Sequence, residues 1–159
     1  MDENRFWSII DAAWLTIDSK DAARQKLYAG EMSDRDEDNL VNTLEKVVPE
    51  IEKQLDTLSA EDLQNFDRIL ERKLYDIDRA DVQECTGGSD DGFLYARGFI
   101  VAAGRQYYES INEDPSLATM DLRAEVMCYL SWHLYEKKFG KMPPSEISRE
   151  SCSNEPGWP

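Results

Sequence analysis

The chain has 159 residues, of which 41% are apolar and 32% charged, and its 33 Asp and Glu outnumber 18 Lys and Arg for a formal charge of -15. That length suits one domain with a true core, and the charge excludes nucleic acid and anionic lipid as partners because polyanions repel it, so a basic protein partner is expected. One histidine, His133, excludes a His-based triad and a multi-histidine metal site, and Cys85, Cys128 and Cys152 share no metal-ligand spacing, so neither a metal nor a cofactor is expected.

The first residues, Met1-Asp2-Glu3-Asn4-Arg5, are acidic, and no apolar run approaches the ~20 residues of a bilayer span, so the expected setting is a reducing cytoplasm with no membrane association. Phe6, Ile9, Ile10, Ala13 and Ile17 recur at three- and four-residue steps, flanked by Trp7 and Trp14, which predicts a core-facing helix. The Asp18-Ser19-Lys20-Asp21 cluster offers a stop and a new N-cap for a short helix over Ala22 to Tyr28. Gly30 to Asp38 lacks apolar period and is densely negative, so a solvated connector or frayed helix start is expected there. From Leu40 the positions Leu44, Val48, Ile51, Leu55 and Leu58 form an a/d-like stripe, and Pro49 predicts a kink or break near Val48.

Ser59 can cap the next helix, with Asp62 returning the bond and Leu58 and Leu63 as a hydrophobic staple. Its stripe is Leu63, Phe66, Leu70, Leu74 and Ile77, which places Asp67, Arg68, Glu71, Arg72 and Lys73 on the wet side. These two stretches are expected to pair antiparallel. Gly87-Gly88-Ser89-Asp90-Asp91-Gly92 then combines a stop with the polar start of a central helix whose period runs from Phe93 to Ile111. Gly98 and Gly104 inside it imply another backbone close by. Asp114-Pro115 reads as a cap and first residue of a short turn. A last helix follows with Leu122, Val126, Tyr129, Leu130, His133 and Leu134 inside and Gly140 at its end. The expected fold is all-α, a single-domain bundle of about six helices over residues 1–140 with an extended or loosely docked, poorly structured tail over 141–159.

Phe6-Trp7 followed by Ile10-Asp11, Leu58-Ser59 followed by Phe66, and Gly88-Ser89-Asp90-Asp91-Gly92-Phe93 leading to Arg97, Ile100, Gly104, Arg105 and Asp114-Pro115 form a pattern. Over most of its length the chain thereby resembles the bacterial domain-of-unknown-function family 4240. The resemblance implies a helical domain and no established reaction; some small acidic members look like immunity proteins of toxin systems.

Ser89, Asp90 and Asp91 suit a helix start, where they meet free amides and the dipole, better than a divalent-cation site, which needs more than two adjacent acids. Arg97 falls on the apolar face of its helix and requires a carboxylate partner, with Asp11, Asp67, Asp78 and Asp81 as candidates. Cys128 reads as a small buried hydrophobe. Trp158, in a proline-rich tail, is expected either to anchor that tail or to contact a partner.

The leading expectation is a non-enzymatic acidic binding protein, an immunity-type inhibitor masking a basic surface such as that of a nuclease-like toxin. Its partner-binding residues are Asp34, Asp36, Glu37, Asp38, Glu61, Asp62, Asp67 and Trp158. One alternative is a small enzyme or ligand-binding domain with a site around Ser89, Asp90, Asp91, Arg97 and Arg105. Another is a regulatory or scaffold interaction domain marked by an exposed apolar patch. Composition and period leave the oligomeric state open.

Overall fold

Each apolar stripe finds its counterpart on another helix. A computed structural model describes residues 1–159 and contains no strand. Eight α-helices follow in order: α1 (Glu3–Ile17), α2 (Ala22–Ala29), α3 (Asp34–Asp56), α4 (Ala60–Asp76), α5 (Ala80–Thr86), α6 (Asp90–Ala102), α7 (Arg105–Glu113) and α8 (Glu125–Phe139). Short 3-10 turns occupy Pro115–Leu117 and Glu155–Gly157. The fold is therefore all-α, with more helices than the six expected, because a stretch read as continuous divides and α5 carried no readable period.

α1 lies mainly on α3, and α8 lies against α4, α6 and α3. The expected antiparallel pairing of α3 with α4 does not occur: α3 turns its stripe of Leu40, Leu44, Val47, Ile51 and Leu55 to α1 and α8 instead. A single core of 37 buried residues joins all of these faces and includes Met142 of the tail. No helix is long and apolar enough to cross a membrane.

Local signals explain most boundaries. Asp2 caps α1 by accepting from the Arg5 amide at 2.8 Å. Asp18, which follows α1, accepts from the amides of Lys20 and Ala23, so the α2 start is held by Asp18 and not by Asp21. Of the two readings of Gly30 to Asp38, the helix start holds from Asp34 onwards, and Gly30 to Ser33 form the connector. Ser33 and Asp36 form a reciprocal capping box there, placing the acids in the first turn, where the helix dipole favours them. α3 also runs unbroken through Pro49, contrary to the expected interruption. The missing amide bond costs about 3 kcal/mol, and burial of Val47, Val48, Ile51 and Leu55 on one side of the same helix offsets it.

Ser59 caps α4 through the Asp62 amide, but Asp62 does not return the bond. Its carboxylate pairs with the N-terminal ammonium of Met1 and with Arg5, each at 3.0 Å. In α1 it is Trp14 that is fully enclosed while Ile17 is exposed, and in α8 Val126 and His133 face outwards. Cys128 is buried, and that burial pushes its thiol up to about 12.

The period from Phe93 to Ile111 splits at Gly104, whose φ of +102° ends α6 and aims α7 in a new direction. Gly98 stays inside α6 because α8 crosses there: a Cβ would stand 2.5 Å from Cys128 Sγ and 2.7 Å from the Ala124 carbonyl oxygen. Gly98→Ala is expected to destabilise the fold by about 1–3 kcal/mol through overpacking against that backbone oxygen, as measured by urea denaturation.

The tail corrects the expectation of a poorly structured, loosely docked segment. Arg149 is buried, with Nη2 3.0 Å from Asp67 Oδ2 and 3.5 Å from Glu71 Oε1, and its Nη1 donates to the Cys128 carbonyl at 2.6 Å. The Asp78 carboxylate accepts the amides of Cys152, Ser153 and Asn154 at 3.1, 2.7 and 3.0 Å. Trp158 is half-buried, edge-on to Phe93 with ring centroids 5.9 Å apart.

Candidate functional site

Three places hold the polar chemistry. The first is the buried Arg97, fully enclosed on α6. Asp78 is the carboxylate that faces it, at 3.8 Å, while Nη1 donates to the Leu74 carbonyl at 2.8 Å and Nη2 to Ser151 Oγ at 3.0 Å. The guanidinium lies over the Phe93 ring at 4.8 Å. Burial lowers its pKa and Asp78 only partly opposes this, in keeping with the long ion-pair distance and an Nε that has no partner. For Arg149 burial also acts against the charge, but the closer Asp67 and Glu71 outweigh it and its pKa is raised.

Of the residues proposed to join Arg97 in a ligand site, only Asp90 comes near it, and through its backbone: Ser151 Oγ accepts from Arg97 and donates to the Asp90 carbonyl at 2.6 Å. Ser89, Asp90 and Asp91 are exposed at the start of α6, and Ser89 makes no side-chain cap. Arg105 lies beyond the other end of α6, at the first turn of α7, where its Nε donates to Glu109 at 2.6 Å and its Nη1 to Asn4 Oδ1 at 3.1 Å. One helix separates the two groups. No set of three or more His, Cys, Asp or Glu is positioned to hold a metal ion.

The second place is a polar cleft of about 590 Å³ between α1, α2 and α7. Its floor is Arg24, 4% exposed. Asp21 clamps this guanidinium from two sides, Nε to Oδ1 at 2.6 Å and Nη2 to Oδ2 at 3.0 Å, and Asp11 Oδ1 accepts from Nη1 at 2.6 Å. Trp14 and Tyr28 present their rings to it at 5.1 and 5.9 Å. The hydroxyl of Tyr28 donates to the Ala103 carbonyl at 2.9 Å, and burial raises its pKa. Burial opposes the Arg24 charge, but its bonds to Asp21 and Asp11 outweigh this and the pKa is raised. Gly104 is required here for space as well as for its dihedral: a Cβ would stand 2.7 Å from Arg24 Nη1 and 3.0 Å from Asp11 Oδ1. Arg24 was legible in principle, because it stands one turn before Leu27 and Tyr28 on the buried side of α2, the same placement that marked Arg97.

The third place is the surface of α3. This helix has eight Asp and Glu against three Arg and Lys, and only Asp36, Glu50 and Asp56 take part in ion pairs. Asp34, Asp38, Glu45 and Glu52 are exposed and follow one another at four- and seven-residue steps, so they share one line about 27 Å long. Arg35, Lys46 and Lys53 each stand one residue past an acid of that line, about 100° further round the helix. Beside the line runs an apolar groove of about 320 Å³ between α3 and the start of α8, lined by Val41, Val48, Val126 and Met127 together with Glu45, Glu125 and Arg123, the last paired with Asp121 at 3.3 Å. Val41 and Val126 are 37% and 62% exposed.

The other expected partner residues are placed differently. Glu37 is half-buried and Glu61 is exposed, the latter on α4, which does not pack beside α3. Asp62 is engaged by the N-terminus and Arg5. Asp67, read as wet, is fully buried: it accepts from Ser131 Oγ at 2.8 Å and pairs with Arg149, so it cannot face a partner. Trp158 is turned to the tail's own docking site. Asp36 pairs with Lys26 at 2.5 Å and accepts from Ser33 at 2.6 Å, and these bonds bring its pKa down to about 2 from 3.8. Its contribution to stability is therefore present above the unfolded value and lost as pH falls through the folded one. The difference in melting temperature between the parent and Asp36→Asn should be constant above about pH 5 and vanish towards pH 2.

The family model described as protein of unknown function (DUF4240) matches residues 1–137, that is, α1 to nearly the end of α8. The chain belongs to this DUF4240 family. No curated protein and no solved structure matches it. Asp11, Gly104 and Arg105, part of the pattern that carries the resemblance, meet in the polar cleft. The DUF4240 match ends before Arg149 and Trp158, so the tail that locks α4 to α8 lies outside it.

Proposed function

We propose that this DUF4240 chain is a non-enzymatic binding protein, an immunity-type inhibitor that covers a basic protein surface such as the cleft of a nuclease-like toxin. The observation that supports this reading is the line of Asp34, Asp38, Glu45 and Glu52 beside the apolar groove of Val41, Val48 and Val126. An acidic rim on an apolar floor fits an amphipathic basic segment: the carboxylates steer it and fix its orientation, and the valines supply contact area once water leaves. Close packing of the rest of α3 against α1 and α8 holds this face rigid, so little ordering entropy opposes association.

The partner to test is the product of the neighbouring gene, co-expressed and purified with the parent chain. Two variants decide the matter, Asp38→Asn/Glu45→Gln/Glu52→Gln for the ridge and Val126→Asp for the groove. The reading expects a complex whose association rate falls about tenfold or more in the ridge variant and whose dissociation is faster in the groove variant. A complex indifferent to both, or a partner without a basic surface, would contradict it.

A further inference from the structure

The polar cleft over Arg24 has no part in that reading, and it has the size and rigidity of a ligand site in its own right. We infer that it binds a molecule headed by a guanidinium or primary ammonium group.

The cleft is lined by four carboxylates, Asp11, Asp21, Glu109 and Glu113, and by two cations, Arg24 and Arg105. Both cations are already neutralised, Arg24 by Asp21 and Asp11 and Arg105 by Glu109. What remains is acceptor capacity. Asp11 uses only Oδ1 and Glu109 only Oε1, and Glu113 makes no ion pair. The Tyr28 hydroxyl directs its proton at the Ala103 carbonyl, so towards a ligand it is an acceptor as well. A site with surplus negative charge and surplus acceptors selects a cation with several N–H donors and rejects carboxylates and phosphates. The lack of any three-group metal cluster points to an organic cation in place of a metal ion.

The floor is preorganised. Arg24 is held by three carboxylate bonds and two aromatic faces, Gly104 leaves the space those bonds occupy, and Asp21 holds a left-handed φ of 52° to reach round the guanidinium. The volume of about 590 Å³ admits a small metabolite or one long side chain of a polypeptide.

Both sources share this chemistry, and three probes separate them. Agmatine stands for the free amine, acetyl-Gly-Arg-Gly-amide for a protein side chain, and the same peptide with citrulline for a neutral isostere. Amide chemical shifts of the full chain are followed in titrations at low salt. The inference expects saturable shifts confined to α1, α2 and α7 with a dissociation constant of about 1 mM. Agmatine alone saturating indicates a free amine; the arginine peptide saturating indicates a basic side chain; citrulline gives no shift. Glu113→Gln, on an exposed position, should leave melting unchanged and weaken binding about fivefold. No saturation by either cation below about 10 mM, equal binding of citrulline, or shifts centred on the α3 acids would overturn it.

Discussion

Arg149→Met should lower the stability of the chain by about 3 kcal/mol in urea denaturation, because it strands two buried carboxylates. Asp67 is fully buried and Glu71 nearly so, and Arg149 contacts both. Arg68 also lies 3.5 Å from Asp67 and 3.4 Å from Glu71, and its partial compensation sets the expected loss at the lower end of the range for a broken buried pair. Part of the loss should be recovered by replacing Asp67 with leucine in the same chain, since an apolar pair of similar volume removes the desolvation cost. A variant as stable as the parent would mean that the tail does not dock through this arginine.

The second large effect is at Asp78. Asp78→Ala removes the acceptor of three backbone amides and the carboxylate opposite Arg97, all in the interior, and a loss of about 3–5 kcal/mol is expected. Asp78→Asn retains one acceptor oxygen and should lose about half as much. Limited proteolysis supplies an independent readout: cleavage should begin between Arg149 and Trp158 in the alanine variant before the helices are attacked. Simultaneous loss of tail and core, with no early tail cleavage, would show that Asp78 acts on Arg97 alone.

Both residues show how far sequence reasoning reaches. The period of three and four exposed the core faces of α1, α3, α4 and α6, and an arginine on the apolar side of α6 required an internal carboxylate, with Asp78 among the four candidates. The same rule, applied to positions 67 and 71, would have found the second buried cluster, since Leu63, Phe66, Asp67, Leu70 and Glu71 follow the wide stripe of a core helix. Their acidity argued for solvent instead, and no period in residues 141–159 announced the arginine that neutralises them. Pro49 and Gly104 carried opposite lessons. Helix-breaking chemistry was overridden at Pro49, which is itself exposed while Val47, Val48, Ile51 and Leu55 around it are buried, and the period concealed a turn at Gly104, whose neighbour Arg24 comes from a distant helix.

The polar cleft was illegible for a related reason. Asp11, Arg24 and Arg105 belong to three helices, Asp21 and Gly104 are the residues just before two of them, and only the fold brings all five to one wall. The acidic line on α3 was half visible: Asp34 and Asp38 stood out in a charged run, Glu45 joins their face because the helix already begins at Asp34, and Glu52 because it continues through Pro49.

Hydrogen exchange of the chain with and without the neighbouring gene product, the partner proposed above, tests the account most directly, since it locates the contact without a substitution. Slowed exchange over residues 38–52 and at the start of α8, with α4 and the tail unaffected, is the predicted footprint. Protection centred on α4 or the tail, with α3 exchanging as in the free chain, would contradict recognition by the acidic ridge.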